Sequence, residues 1–327
     1  MLIVGGELRD WVRDSARHRG TQHGIDALAR EWNAGLVNRR FATAMAALAE
    51  PTAESTVEAL TKVFANEAWV NALIHVLADA MRDDPFFEPP FRHINSDIHQ
   101  GLIVFEDDNV SVAAGVTNVA ELAAKKAGRR GRTSIGFSGQ VDVLKFVKAG
   151  GARIAFWEAP LIRQDFTADH AGRCRRTGER EIEDGEVLVI DGRRRSFVIE
   201  HARSNLVVLQ ATVKHDRAPL AVEYDSETRE YVGCSSADDS GSRIQMIATL
   251  LRKLDRPDAF QAIAPFLDYP AFFVRWHIMR ELLGIDAEAA MPHLRRMAAR
   301  DPHPETRRAA RRVLDRIETG ELLRRAA

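Results

Sequence analysis

Apolar residues recur with a helical period in the first part of the chain. In VNALIHVLADAM, residues 70–81, they fall at i, i+3, i+4, i+7 and i+11, which is the spacing of one face of an amphipathic helix. A similar stripe follows Thr52, which stands after a proline as a helix-start signal. The pair Pro89-Pro90 ends this pattern. Residues 1–90 are therefore predicted to be helical.

From Leu102 to Cys234 the pattern changes to short apolar runs separated by Gly, Asp and Asn. The runs are GLIVFE, NVSVAAGV, TSIGFS, VDVLKFV, ARIAFWEA, EVLVIDG, SFVIEHA, NLVVLQATV, LAVEYD and REYVG. Runs of this length, rich in Val and Ile and bounded by turn residues, predict strands of an antiparallel sandwich or barrel. One helix is expected among them, beginning at Asn118 with Glu121 in position to cap it.

After residue 238 the helical period returns and an internal repeat appears. VRWHIMRELL at 274–283 and TRRAARRVLD at 306–315 align at a spacing of 32 residues. The shared positions are Arg275/Arg307, Arg280/Arg312 and Leu282/Leu314, and the segments follow the turn sequences DYP and DPHP. A two-helix unit of this length cannot bury its apolar face alone, so it stacks on its neighbours. The segment resembles HEAT-like helical repeats, with an ordinary helical bundle as the alternative.

The central segment resembles the cupin family in two places. DGEVLVIDGRRRSFVIE, residues 184–200, has the strand, tight turn and strand of the second cupin motif. GARIAFWEAPLIRQ, residues 151–164, fits the first motif when Gly151 takes the place of its glycine. The resemblance implies a double-stranded β-helix. The predicted fold is therefore α+β and multidomain, with domains 1–90 (helical), 91–238 (a cupin-like antiparallel β-barrel) and 239–327 (HEAT-like helices).

The cupin resemblance also implies a metal site of three histidines and one carboxylate, but the matching positions lack these ligands. They hold Trp157, Ala159, Arg163 or Gln164, and Ser196. Tryptophan and alanine do not coordinate a metal, and arginine repels a cation. We therefore expect neither a metal nor another cofactor.

Other histidines leave two alternatives open. His93, Asp97 and His99 cluster before the first long strand, and His201 and His215 lie in later ones, so an unconventional metal site competes with plain surface histidines. Some cupin-like sugar epimerases use a histidine base with a tyrosine acid. The residues of these types in the barrel segment that suit such roles are His170 with Tyr224 or Tyr231.

A metal-free barrel still has a concave interior. Strand alternation places Trp157 on the same face as Ala155 and Ala159, which leaves room beside the indole. Trp157 as an aromatic wall, with Arg163, Gln164 and Ser196 as polar contacts, suits a small organic ligand, anionic because of the arginine. The alternative is that Trp157 fills the core.

Composition excludes several partners. The 46 basic and 47 acidic side chains give a net charge of -1, so no global field attracts nucleic acid or an anionic membrane. No window approaches the roughly 18 apolar residues of a membrane span, and MLIVGGELRD is too polar for a signal sequence. Cytoplasmic location is expected, with Cys174 and Cys234 as free thiols rather than a disulfide. The basic segment KKAGRRGRT, residues 125–133, is a solvated loop or a site for an acidic partner.

Two function classes remain, because no P-loop, dinucleotide fingerprint or nucleophile elbow is present in the sequence. The first is a non-catalytic binding or interaction protein, with the barrel as a scaffold or small-ligand sensor and a protein partner on the C-terminal helices. The alternative is a cupin-type enzyme, either a metal-independent isomerase or epimerase, or an oxygenase with an unconventional metal site. A homodimer through the barrel is expected from the cupin resemblance.

Overall fold

A computed structural model of the chain describes residues 5–66, 68–128, 134–163, 165–237, 239–256 and 258–319. Gln164 and residues 129–133 of the basic segment lie outside the described residues. The helices are α1 (Gly5–Arg13), α2 (Ser15–Ala34), α3 (Leu36–Ala46), α4 (Ala53–Phe64), α5 (Ala68–Asp83), α6 (Val119–Gly128), α7 (Asp239–Lys253), α8 (Ala259–Ile263), α9 (Phe272–Ile285), α10 (Ala287–Arg300) and α11 (Pro304–Glu318). The strands are β1 (Arg92–Asn95), β2 (His99–Glu106), β3 (Val110–Thr117), β4 (Ser134–Phe137), β5 (Val141–Lys148), β6 (Arg153–Glu158), β7 (Arg175–Glu181), β8 (Val187–Asp191), β9 (Arg195–His201), β10 (Leu206–Val213), β11 (Leu220–Asp225) and β12 (Tyr231–Ser236).

This order of helices, strands and helices confirms the predicted α+β class. The chain divides into two compact units that combine segments from different predicted regions. The first comprises Met1–Ile135, Gln140–Glu158 and Arg175–Arg217, and the second comprises Gly136–Gly139, Ala159–Cys174 and Ala218–Ala327. The predicted domain boundaries at residues 90 and 238 stay a prediction.

The first unit contains two antiparallel sheets, with strand orders β1-β2-β3-β10-β5-β8 and β7-β6-β9. From β5 to β10 the chain changes sheet repeatedly, since β6, β7 and β9 belong to the second sheet and β8 and β10 return to the first. This alternation is the strand order of a jelly roll, the architecture of the cupin double-stranded β-helix. It confirms the cupin-like barrel.

Local sequence signals fix where the N-terminal helices begin. The Thr52 hydroxyl accepts from the Ser55 backbone N–H at 3.2 Å, and the Ser55 hydroxyl accepts from the Thr52 N–H at 3.0 Å. This reciprocal pair is a capping box, and it satisfies two otherwise unpaired donors at the start of α4. The stop before Pro89 is also as predicted, because α5 ends at Asp83.

The N-terminal helices pack on one face of the larger sheet. The buried apolar side chains of this core include Phe41, Leu60, Phe64 and Trp69 from the helices and Val110, Val112, Val143, Leu209, Ala211 and Val213 from the strands. Burial of each large apolar side chain contributes about 1.5–3 kcal/mol. This core fixes which face of β3, β5 and β10 is covered by helices, and the other face of these strands looks towards the second sheet.

A second core lies between the two sheets. Leu144 and Phe146 of β5 and Ile190 of β8 share one buried cluster with Ile154 of β6, and Phe156 packs against it. These side chains come from facing sheets, so their positions define the inner faces of the barrel. Among the described residues, no helix has the length and apolar character needed to cross a membrane.

The second unit holds β11, β12, the last two residues of β4 and the helices α7–α11. Its 32-residue repeat is visible in matching contacts. Arg275 Nη1 donates to the carbonyls of Tyr269 and Pro270, at 2.9 and 2.8 Å. Arg307 Nη1 donates to the carbonyls of the equivalent residues, Asp301 and Pro302. Equivalent arginines therefore bind the equivalent turn in both repeats, which confirms the 32-residue repeat.

Candidate functional site

Trp157 and Ser196, two of the residues predicted to bind a ligand, are cross-strand neighbours. Trp157 of β6 stands directly opposite Ser196 of β9, and both side chains are 7 % exposed. The indole Nε1 is buried and has no hydrogen-bond partner among the described residues. The structure therefore brings these two residues together at a buried place.

The face of β6 that carries Trp157 is not the face that meets the larger sheet. Ile154 and Phe156 join the core between the sheets, together with Phe197 and Ile199 directly opposite them on β9. Successive side chains of a strand point to opposite sides, so Trp157 points away from that core. Trp157 therefore does not line the barrel interior, contrary to the prediction, and ligand binding on its own face stays a prediction.

The remaining predicted ligand contacts lie after β6. Arg163 is exposed in the segment that follows this strand, and its carbonyl accepts from the Phe166 N–H at 3.1 Å. Ala159 is buried. Gln164 lies outside the described residues. The anionic ligand that Arg163 suggested is therefore still a prediction.

The histidines considered for a metal or for catalysis are spread over several elements. His93 lies in β1 and His201 ends β9, both exposed, while His99 Nδ1 is 3.1 Å from Thr117 Oγ1. His170 Nδ1 is 3.0 Å from Thr167 Oγ1, and His215 Nε2 is 2.7 Å from Asn109 Oδ1. Within the described part of the chain, no three His, Cys, Asp or Glu side chains are grouped to hold a metal ion.

The two tyrosines considered as acids are buried to different degrees. The Tyr224 hydroxyl donates to the Ala171 carbonyl at 2.6 Å, and burial raises the pKa of Tyr224 to about 12. Burial also raises the pKa of Tyr231, and Cys234 beside it adds to that shift. Both phenols are therefore protonated near neutral pH, and Tyr224 already uses its proton in a structural hydrogen bond.

A polar cluster that the sequence reasoning did not single out lies on the inner face of the larger sheet. Asp142 of β5 is 7 % exposed, and its Oδ1 accepts from Thr212 Oγ1 at 2.7 Å and from Gln210 Nε2 at 3.0 Å. Thr212 pairs with Asp142 and Gln210 with Leu144 across the ladder. Because cross-strand partners share a face, this cluster continues the inner face that Leu144 occupies.

Small side chains lie beside this cluster on β3. Ser111, Ala113 and Gly115 are directly opposite Thr212, Gln210 and Val208. All three are half-buried, and Gln210 is exposed, whereas the alternate residues of the same strands are buried under the N-terminal helices. The inner face is thus apolar and filled at one end, and accessible, polar and lined by small residues at the other.

The hydrogen bonds of this cluster decide which groups the accessible end of the inner face, called the open end below, presents to a ligand. Thr212 Oγ1 and Gln210 Nε2 both donate to Asp142 Oδ1, and Gln210 Nε2 also donates to Thr212 Oγ1 at 3.4 Å. The Gln210 carbonyl and the second lone pair of the Thr212 oxygen are then the acceptors, beside the Ser111 hydroxyl, which both donates and accepts. A ligand at this face is met mainly by acceptors, so it must supply hydrogen-bond donors.

The C-terminal region matches a known family. The family model for HEAT repeats matches residues 234–315, which include the 32-residue repeat described above. A search of the curated proteins finds no match to the sequence.

Several solved structures are similar to part of the chain. Ectoine synthase from P. lautus is 12% identical, over 38% of this chain and 69% of that one, with a TM-score of 0.24. Oxalate decarboxylase from Bacillus subtilis is 14% identical, over 53% and 40%, with a TM-score of 0.24. The polyketide cyclase RemF from Streptomyces resistomycificus is 10% identical, over 45% and 79%, with a TM-score of 0.22. Similarity this low transfers no activity, and the cupin-like assignment of the barrel depends on its own strand order.

Proposed function

We propose that the protein is a binding protein whose cupin-like barrel receives a small, hydrogen-bond-donating molecule at the open end of its inner face. The observation that carries this proposal is the buried Asp142 carboxylate, held by Thr212 and Gln210 on a face that solvent reaches. A molecule with hydroxyl or amino groups fits these acceptors.

The surroundings of the cluster support a pocket rather than a packed core. The helix-facing residues Val112, Leu209 and Ala211 are at most 1 % exposed, while Ala113 and Gln210 on the opposite side of the same strands are accessible. A site with an apolar wall and a few fixed polar groups is typical of small-molecule binding. The filled end between Leu144 and Ile154 gives such a site a rigid base.

The proposal can be tested by substitution of a small residue on β3. Ala113→Leu places a bulky side chain on the inner face, and Ala113→Ser is the matched control that keeps the space. The probes are glucosamine, inositol and ethanolamine, which carry hydroxyl or amino donors, and binding is measured by saturation-transfer difference NMR.

The proposal predicts that at least one probe binds the unmodified protein and the Ala113→Ser variant, and that Ala113→Leu abolishes the saturation transfer. Thr212→Val, which removes an acceptor from the site, should weaken binding by about tenfold, in line with the loss of one hydrogen bond in a site that stays polar. If none of the probes binds, or if Ala113→Leu binds them as well as the unmodified protein, the barrel does not act through this face.

A further inference from the structure

A groove runs between α3 and α4 of the N-terminal helices. Its volume is about 800 Å³, which lies in the range of about 300–1,000 Å³ that is typical of small-molecule sites. The connection between the two helices is short, residues 47–52, so they are antiparallel neighbours. The start of α3 therefore lies beside the end of α4, at the end of the groove that is far from the connection.

The floor of this groove is apolar. Ala44 of α3 and Leu48 just after it line one side, and Ala59 and Val63 of α4 line the other. All four are half-buried and pack against the N-terminal core, so the part of each side chain that stays accessible faces the groove. From Arg40 to Ala47 the lining extends about 10 Å along α3, at 1.5 Å per residue. The floor thus offers an apolar surface of that length.

The charged side chains that line the groove lie towards the end far from the connection. They are three cations, Arg39, Arg40 and Lys62, and one acid, Glu58. Lys62 pairs with Glu58 at 2.7 Å, and Arg39 Nε donates to the Ala34 carbonyl at 2.8 Å. Arg40 is exposed and has no ion pair or side-chain hydrogen bond within the part of the chain that the structure describes. The lining therefore carries a positive charge that its one acid does not balance.

The other end of the groove is uncharged. Ala47, Leu48 and Ser55 line it beside the connection. An apolar floor that leads to a free guanidinium is complementary to a molecule with an apolar chain and an anionic head. A carboxylate suits this head position best, because a guanidinium binds its two oxygens with parallel hydrogen bonds.

We infer that this groove binds a medium-chain carboxylate, with its head on Arg40 and its chain over Ala44, Ala47 and Ala59. The groove shares no residue with the barrel site, so this binding is independent of the function proposed above.

The test is a methyl-labelled NMR titration of the full-length protein with sodium decanoate. The methyl resonances of Ala44, Ala47 and Ala59 should shift with a common saturation curve, while that of Ala42, exposed on α3 outside the groove, should not move. Decyltrimethylammonium has the same chain with a cationic head and should bind clearly more weakly. Octanoate and hexanoate should bind progressively more weakly, by about twofold per methylene removed, because the open groove covers only one side of the chain.

Two pairs of variants test the head and the floor separately. Arg40→Glu should weaken decanoate binding by about fivefold, because repulsion replaces an exposed attraction, and Arg30→Glu, an exposed site on α2 outside the groove, is its matched control. Ala59→Leu fills the floor and should abolish the shifts of Ala44 and Ala47, whereas Ala42→Leu should not. Circular dichroism checks that each variant is folded.

The inference is wrong if decanoate leaves the Ala44, Ala47 and Ala59 resonances in place, if decyltrimethylammonium binds as tightly, or if Arg40→Glu and Arg30→Glu behave alike. It is also wrong if vesicles of phosphatidylglycerol move these resonances and decanoate does not, since the surface would then dock on a membrane.

Discussion

Replacement of Arg275 by methionine should destabilise the C-terminal unit far more than the same change at Arg307, its repeat equivalent. The Arg275 side chain is 8 % exposed and its partner Asp301 is 4 % exposed. Arg275 Nε and Nη2 each donate to one Asp301 carboxylate oxygen at 2.8 Å. The change leaves that carboxylate buried, with the His303 backbone N–H at 2.8 Å as a remaining donor. Breaking a buried pair from one side costs about 3–5 kcal/mol.

Arg307 makes the same two carbonyl contacts but is half-buried and has no carboxylate partner among the described residues. Its replacement should therefore cost about 1.5–3 kcal/mol, the contribution of hydrogen bonds from a charged group, whereas Arg275→Met loses the same contacts and also leaves a buried carboxylate. Urea unfolding followed by circular dichroism measures both losses by linear extrapolation. Equal losses for Arg275→Met and Arg307→Met would refute the argument that the Asp301 pair, and not the carbonyl contacts, stabilises the junction between the repeat units. A double variant with Asp301→Leu should recover part of the Arg275→Met loss, since no lone charge then stays buried.

Four other outcomes follow from the structure. Trp157→Ala should lower the free energy of unfolding by about 3–5 kcal/mol, as for a buried large aromatic residue, and Trp157→Phe is the milder control. If Trp157→Ala lowers the melting temperature by only a few degrees, the indole lines open space instead. Burial lowers the pKa of His303 and of His277, so below about pH 6.5 the folded state binds fewer protons than the unfolded chain. The free energy of unfolding should therefore decline as the pH falls below about 6.5. The variant His303→Gln should show a smaller decline when unfolding is measured across this pH range. Strong chelator should leave the melting temperature unchanged, and a large drop would reveal a structural metal. Light scattering should give the mass of a dimer, whereas a clean monomer would remove the dimer predicted from the cupin resemblance.

The strands with an apolar pattern could be predicted from the sequence, but β7 could not. Its sequence, RRTGERE, has no large apolar residue, and every side chain is exposed. It is held by the backbone ladder to β6 and by ion pairs to that strand, among them Arg175 with Glu158 and Glu179 with Arg153. A hydrophobic pattern reports burial, so it cannot find a strand that buries nothing.

The tight turn after Asp191 shows a second limit. The Arg194 N–H donates to the Asp191 carbonyl at 3.0 Å, so the predicted turn is present. The strands that it joins nevertheless pair elsewhere, β8 with β5 and β9 with β6. Strand partners in a jelly roll are distant in sequence, and a local pattern does not specify them.

The candidate site was predictable only in part. Alternation correctly put Trp157 on the face opposite Ile154 and Phe156, but Ile154 and Ala155 are both fully buried. With both faces of β6 covered, the sequence cannot decide which one is the inner face. The polar cluster did leave a signal, since Gln210 and Thr212 are polar residues two apart in an apolar run, and Asp142 interrupts another. Their meeting required the long-range pairing of β5 with β10.

We propose that a small molecule binds the accessible inner face of β3 and β10. The most direct test is a methyl-labelled NMR titration with glucosamine, in which Ala113 and Thr212 report the inner face and Ala211 reports the helix-covered face of the same strands. We predict that the Ala113 and Thr212 methyl resonances shift with a common saturation curve while that of Ala211 does not move. Unchanged Ala113 and Thr212 resonances up to saturating glucosamine, inositol and ethanolamine would contradict the claim.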